Sequence, residues 1–504
     1  MDILFASTEL SPFVKVGGLA DVTAALPKAL RALGHRITVV VPRFPAFEAG
    51  GLLVARRLTP VRFQLGTRAI DATVFDGRLA SQVDLVLVDV QGLTDSHEGV
   101  PRGSRGLFDR EGVYGEKGVD YTDNHLRFAV FSRAIAELVK QRADAGTPFD
   151  IVHLNDWPSA LAATYLSEMR ATASSASLTT RSVLTLHNVA HQGIFPKESL
   201  PDLGLGWDRF NVDGIEFFGK VNVLKQGILD ADAVATVSPT YAREIQTEAG
   251  GGGLEGVFRA RGASLAGIVN GVDYAVWNPA TDSAIGARYD AEDATNKLRC
   301  RGVLLRELGL SIDRTGPVIA SVSRLVPQKG LDLLLAALPE CLRATDATFV
   351  IAGDGEDAFC KQIEKAAADS HGRVVFARAA SEPLVHRIFA GSDLVVVPSR
   401  YEPCGLVQLY AQRYGAAPIA HATGGLVDTI VDADAKLETG TGFLFEEATA
   451  EALTAAILRG VAARTLPSWP RLVRRMMRLD LGWERPARRY EQLYRMLTAS
   501  SSAA

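Results

Sequence analysis

Short apolar runs alternate with amphipathic stretches along the whole chain. In the first half, "DILFA", "RITVVV", "VDLVLVDV", "DIVHL", "SVLTLH" and "AVATVS" have the length and continuity of strands buried on both faces. Each is followed, sooner or later, by apolar residues at helical spacing, as in Leu19, Val22, Leu26, Leu30 and Leu33 after the first run. That order predicts a parallel, doubly wound sheet of the α/β class. Pro27 is expected to bend the first helix or split it. The segment from about 91 to 120 is rich in glycine and charge and poor in periodicity, so it reads as a long surface loop.

After "LAGIVNGVDYAVWNPATD" the same grammar restarts with "PVIASVS", "ATFVIAG", "RVVFA", "DLVVVPS" and "APIAH". The pattern thus predicts two similar domains, 1–265 and 266–481. A final helical stretch, "WERPARRYEQLYRML" within 482–504, carries Tyr490, Leu493, Tyr494 and Leu497 on one face and must pack somewhere. In open α/β sheets ligands bind beyond the carboxyl ends of the strands, so the loops there are where chemistry is sought.

Composition narrows the partners. The 504 residues and 47% hydrophobic content suffice for more than one core, and a formal net charge of -4 gives no reason to expect nucleic acid or an anionic membrane. Cys300, Cys341, Cys360 and Cys404 form no C-x-x-C pair, which argues against a disulfide framework or a zinc site. The first residues lack the basic flank and long apolar core of a signal peptide, and no apolar run approaches the ~20 residues of a membrane span. A cytoplasmic protein is expected.

Several loops carry candidate chemistry. In "STELSPFVKVGGLADV" the strand is left through Lys15, and Gly17 and Gly18 stand where a helix begins, so free amides and the helix dipole favour an anion there. The alternative is a tight turn with a solvated lysine. "RLVPQKG" places Arg324 and Lys329 five residues apart at a strand's carboxyl end, which suits a diphosphate, or else leaves two solvated charges. In "RYEPCGLVQLYA", Glu402 suits sugar hydroxyls, with the Gly405 and Leu406 amides toward an anion; it could equally cap the helix. Cys404, with no partner base, reads as a packed residue rather than a nucleophile. Thr423, Gly424 and Gly425 in "HATGGLVD" open another helix, and Asp156 and His187 each follow a strand. Two D-x-D pairs, Asp230/Asp232 and Asp432/Asp434, stand where structural roles are expected, so no metal is predicted.

Taken together, "KVGGLADV", "NDW", "LTLHN", "VSPTYAREI", "VNGVD", "RLVPQKGLDLL", "PSRYEPCGLVQLY" and "ATGG" resemble the bacterial glycogen synthases and plant starch synthases, glycosyltransferase family five. The resemblance runs in order from residue 1 to about 495. It implies a GT-B fold: an acceptor-side and a nucleotide-sugar-side Rossmann-like domain facing across a cleft, with the last helix crossing back to the first. It further implies metal-free, retaining transfer of glucose from ADP-glucose to the non-reducing 4-OH of an α-1,4-glucan such as glycogen.

By matched motif, the resemblance implies that Arg324 and Lys329 neutralise the leaving diphosphate and that Glu402 binds glucose hydroxyls, with Cys404, Gly405 and Leu406 nearby. His187 and Asn188 lie beside the sugar, and Asp156 orients the donor glucose or the acceptor. Asn270, Thr423, Gly424 and Gly425 complete the nucleotide-sugar pocket. Lys15, Gly17, Gly18 and Asp21 meet the donor when the cleft closes, and Tyr114 lies toward the acceptor. The chain departs from the family in three places: Asn155 where bacterial members commonly have histidine, no aromatic residue in "EAGGGGLEG", and no tyrosine in "ARAASE". A phosphorylase would need a lysine for a pyridoxal cofactor, and no motif marks one. A dehydrogenase would need G-x-G-x-x-G, which "AGDGEDAF" breaks at Ala358.

Overall fold

The computed structural model describes residues 1–91, 106–116, 118–171 and 178–499. The loop expected between 91 and 120 therefore lies partly outside the described residues. The chain divides into two compact units. One comprises Met1–Val237, Ala242–Ile268 and the terminal segment from Trp483; the other comprises Ser238–Tyr241 and Val269–Gly482.

The first unit is built on a ten-stranded sheet. Its parallel strands lie in the spatial order Leu265–Gly267, Ala233–Thr236, Arg181–Leu186, Ile151–Asn155, Asp2–Ala6, Arg36–Pro42, Asp84–Val90. The apolar runs form these strands because both faces are covered, and Asp2–Ala6 is buried throughout. Winding proceeds outward in both directions from the pair Asp2–Ala6 and Ile151–Asn155, which are parallel neighbours with Ile3 opposite Ile151. Loops leaving the carboxyl ends of that pair flank the switch point of the sheet.

Two features differ from the expectation. Beyond Asp84–Val90 the sheet continues through antiparallel Arg68–Arg78, to which Val54–Arg56 and Val61–Leu65 both pair. These strands alternate: Val61, Phe63 and Leu65 are buried while Arg62 and Gln64 are exposed, so they escape a search for continuous apolar runs. Pro27 sits inside one continuous helix, Gly18–Ala32, so of the expected bend or split the split does not occur. Leu19 and Val22 before it and Leu30 after it are all buried, and that burial outweighs one missing hydrogen bond.

The second unit holds six parallel strands in the order Val374–Arg378, Thr348–Gly353, Val318–Val322, Leu394–Val397, Ala417–His421, Phe443–Phe445. Counted along the chain this is 3-2-1-4-5-6, the doubly wound order of dinucleotide-binding sheets. Its switch point lies between Val318–Val322 and Leu394–Val397, paired through Ile319 opposite Leu394. Phe443–Phe445 is a sixth strand that the apolar runs did not announce.

The terminal helix, Glu484–Ala499, belongs to the first unit. Tyr494 Oη lies 2.6 Å from His153 Nδ1, and the other ring nitrogen of His153 lies 2.7 Å from Thr185 Oγ1. Burial pushes the imidazole down to about 3, so it stays neutral, with one nitrogen donating and the other accepting. Replacing Tyr494 by phenylalanine leaves Nδ1 unpaired in the core. The expected cost is about 1–3 kcal/mol, read as a lower urea midpoint with unchanged slope. Among the described residues, no helix is long and apolar enough to cross a membrane.

Candidate active site

In the second unit, "RLVPQKG" leaves the strand Val318–Val322 through a short turn, Pro327–Lys329, and enters the helix Leu331–Ala344 at Gly330. Gly330 has φ +64°, and a Cβ there would lie 2.0 Å from the Pro398 carbonyl oxygen. Only glycine lets this turn press against the loop that leaves Leu394–Val397. The Arg400 amide donates to Gln328 O at 2.9 Å, and the Arg400 guanidinium pairs with Asp332 at 2.6 Å. This docking brings Lys329 Nζ to 2.6 Å from Glu402 Oε2, to which Ser399 Oγ also donates at 2.9 Å.

Glu402 is only 7% exposed. It does not cap the following helix, Val407–Arg413, whose N-cap is Leu406. Arg324, on the same loop as Lys329, is exposed and has no ion pair among the described residues. The start of the helix Gly424–Thr429 packs on the loop of Glu402: the Gly425 amide donates to Glu402 O at 3.0 Å, and a Cβ at Gly425 would lie 2.2 Å from Cys404 O. Thr423 is the N-cap of that helix. Burial pushes the Cys404 thiol up to about 12, and its Sγ accepts the Asn270 amide at 3.4 Å. The thiol therefore stays protonated near neutrality and acts as a packed residue. Asn270 Oδ1 is buried with no hydrogen-bond partner among the described residues.

In the first unit, the loop after Asp2–Ala6 closes through reciprocal backbone hydrogen bonds between Leu10 and Val14, both 2.9 Å. It then delivers Lys15 to Asp21, with Nζ to Oδ1 at 2.8 Å, in an ion pair whose lysine stays exposed. The expected free amides are also spoken for in part. The Val16 and Gly17 amides both donate to Glu9 Oε2 at 2.8 Å. Tyr114 donates from Oη to Glu9 Oε1 at 3.0 Å and lies 2.8 Å from Thr8 Oγ1.

Across the switch point, Asp156 begins the helix that follows Ile151–Asn155 and holds φ +54°, a conformation uncommon outside glycine. Its carboxylate accepts the His187 amide at 2.7 Å. Burial pushes its pKa up to about 7, and the nearby Glu9 charge adds to the shift. Asn155 Nδ2 donates to Ala6 O at 2.8 Å, which turns its Oδ1 toward His187 Nε2 at 2.9 Å. His187 Nε2 therefore carries the proton, and Nδ1 is an acceptor with no hydrogen-bond partner among the described residues. Burial pushes this imidazole down to about 3, so it is neutral at ordinary pH. Asn188 lies in the same turn and accepts the Ala190 amide through Oδ1 at 3.0 Å.

The structure thus gathers Lys15, Gly17, Asp21 and Tyr114 around one loop, Asp156, His187 and Asn188 around another, and Lys329, Glu402, Cys404 and Gly425 around a third. Sequence reasoning missed Glu9, Asn155 as a partner of His187, and Ser399. Glu9 and Ser399 occur within the quoted motifs, yet only folding brings them to their partners. Two of the D-x-D residues are held in ion pairs: Asp232 with Arg170 at 3.0 Å and Arg181 at 3.1 Å, and Asp432 with Arg459 at 2.5 Å. "EAGGGGLEG" itself holds no aromatic residue, and Phe217 and Phe218 of a neighbouring turn abut Gly253.

Residues 2–260 match the family described as the starch synthase catalytic domain, and residues 309–466 match glycosyl transferases group 1. The chain is 42% identical over 500 residues to a glycogen synthase of Anaeromyxobacter sp. strain Fw109-5, covering 99% of this chain and 100% of that one. A glycogen synthase of Geotalea daltonii is 38% identical, with 99% of each covered. Among solved structures, the catalytic domain of starch synthase IV from Arabidopsis thaliana, bound to ADP and acarbose, has a TM-score of 0.87 at 31% identity, with 99% of each chain covered. Two doubly wound units with polar constellations at their switch points define a glycosyltransferase of the GT-B class. Within that class, the chain belongs to the glycogen and starch synthase family.

Proposed function

We propose that this glycosyltransferase moves glucose from ADP-glucose to the non-reducing 4-OH of an α-1,4-glucan, with retention and without a metal ion. The observation that carries the site reading is the Lys329–Glu402 pair at the switch point of the second unit. There Lys329, with Arg324 on the same loop, neutralises the charge that develops on the departing diphosphate, the largest electrostatic demand of the reaction. Glu402, aligned by Lys329 and Ser399, accepts hydrogen bonds from glucose hydroxyls. Its engagement by both partners supports a binding role over that of a nucleophile, and retention then proceeds by attack on the face that the diphosphate leaves.

Other residues take supporting roles. Asn270 has an unsatisfied buried acceptor, which supports a ligand-facing amide beside Cys404, Gly405, Leu406, Thr423, Gly424 and Gly425. No neighbour forces glycine at 17, where a Cβ would meet nothing within 4 Å; this supports Gly17 and Gly18 as space for the donor, approached by Lys15 with Asp21. Asp156, His187 and Asn188 orient the sugar, and Tyr114 faces the acceptor. The four free cysteines are all buried, which supports a reducing, cytoplasmic setting.

The test is transfer of labelled glucose to glycogen from ADP-glucose or UDP-glucose in the presence of EDTA. Robust incorporation from ADP-glucose alone is expected. Transfer only from UDP-glucose, or only after a divalent cation is restored, overturns the donor or the metal reading.

A further inference from the structure

Glu9 lies in the loop after the first strand and is 4% exposed. Its carboxylate gathers three donors from two distant parts of the chain. Oε2 takes the consecutive amides of Val16 and Gly17, both at 2.8 Å, and Oε1 takes Tyr114 Oη at 3.0 Å. Ser7 Oγ donates to Glu9 O at 3.0 Å, and Thr23 Oγ1 donates in turn to Ser7 Oγ at 2.9 Å, so the backbone under the carboxylate is also tied to the helix Gly18–Ala32. Charge-assisted hydrogen bonds of this kind are stronger than neutral ones and hold their donors in place.

We propose that Glu9 is a positioning residue for glucosyl transfer: it sets the segment Lys15–Gly18 and the Tyr114 ring in register with each other. The inference rests on the donor and acceptor roles assigned above to Lys15 and Tyr114. Lys15 sits immediately before the two amides that Glu9 holds, so a shift of that backbone displaces its ammonium directly. The carboxylate occupies the Val16 and Gly17 amides, just before the helix Gly18–Ala32.

Position and charge can be separated by two variants. In Glu9→Gln the carbonyl oxygen can still receive both amides and the amide nitrogen can donate to Tyr114 Oη, while Tyr114 donates to Thr8. In Glu9→Ala all three donors lose their acceptor. Turnover should fall about 100-fold in Glu9→Ala, the scale of a displacement near 1 Å, with the KM for glucan within about twofold. Glu9→Gln should recover to within about tenfold of the parent protein. Hydrogen exchange of the peptide spanning 10–18 should lose protection in Glu9→Ala, with the rest of the helix Gly18–Ala32 unchanged, and keep it in Glu9→Gln.

Turnover that follows loop protection across the three proteins supports positioning. Full turnover in Glu9→Ala overturns it, as does low turnover in a Glu9→Gln protein whose loop stays protected. If the parent protein transfers no glucose at all, the functional reading fails by itself, and the exchange data still decide whether Glu9 holds the loop.

Discussion

Replacing Lys329 by alanine should lower turnover about 1000-fold, with a small change in the KM for glucan. The ammonium acts where charge develops on the leaving diphosphate, so its loss weakens the transition state more than the ground state. Arg324 remains on the same loop and still contributes a cation, which keeps the effect finite. The substitution also leaves Glu402 buried with only the Ser399 hydroxyl beside it, at a cost of up to about 3 kcal/mol.

A second substitution, Glu402→Gln, distinguishes the two consequences. In the double variant the orphaned charge is gone, so most of the lost stability should return in denaturant unfolding while turnover stays low. A Lys329→Ala protein that retains turnover within about tenfold would sink the assigned role at the diphosphate.

Asp156→Asn should cost about 1000-fold in kcat/KM at pH 8, because an amide can replace only part of the acceptor capacity of an ionised carboxylate toward a sugar hydroxyl. The parent enzyme should show activity rising through about pH 7 as Asp156 ionises, and that limb should vanish in the variant. The stability prediction has the opposite sign. Below pH 3.8 the carboxyl is protonated in both folded and unfolded chains. Between 3.8 and about 7 the unfolded chain sheds the proton while the native state keeps it, so native stability falls as pH rises across that window. Asp156→Asn removes this titration, and its melting temperature should gain on the parent between pH 4 and pH 7, then level off. A parent profile with no limb near 7 would return Asp156 to a purely structural role.

The parallel strands were legible because burial on both faces writes itself as continuous apolar residues. The antiparallel extension is written in a different period, Val61, Phe63 and Leu65 against exposed partners, which continuous apolar runs do not mark. Within the candidate site, Lys329 and Glu402 could each be nominated from its own loop, yet their direct pairing depends on two strands being neighbours although 72 residues separate Val322 from Leu394. Winding order, not local pattern, makes that contact. Glu9 is the clearest limit: its partners lie 7, 8 and 105 residues away. A glutamate in a polar loop carries no local sign that a distant tyrosine will share its carboxylate.

The terminal helix has a consequence for how the molecule is made. The first unit is completed only after the second has been made, because Tyr490 and Tyr494 follow it in the chain although their partner His153 emerged long before. Residues 269–482 of the second unit are synthesised in between. At about 5–20 residues per second, the nascent first unit waits tens of seconds with the surface around His153 uncovered. The helix is thus a clasp that closes only once the second unit has been made, and a chain broken off before it leaves an apolar face for chaperones and proteases to find.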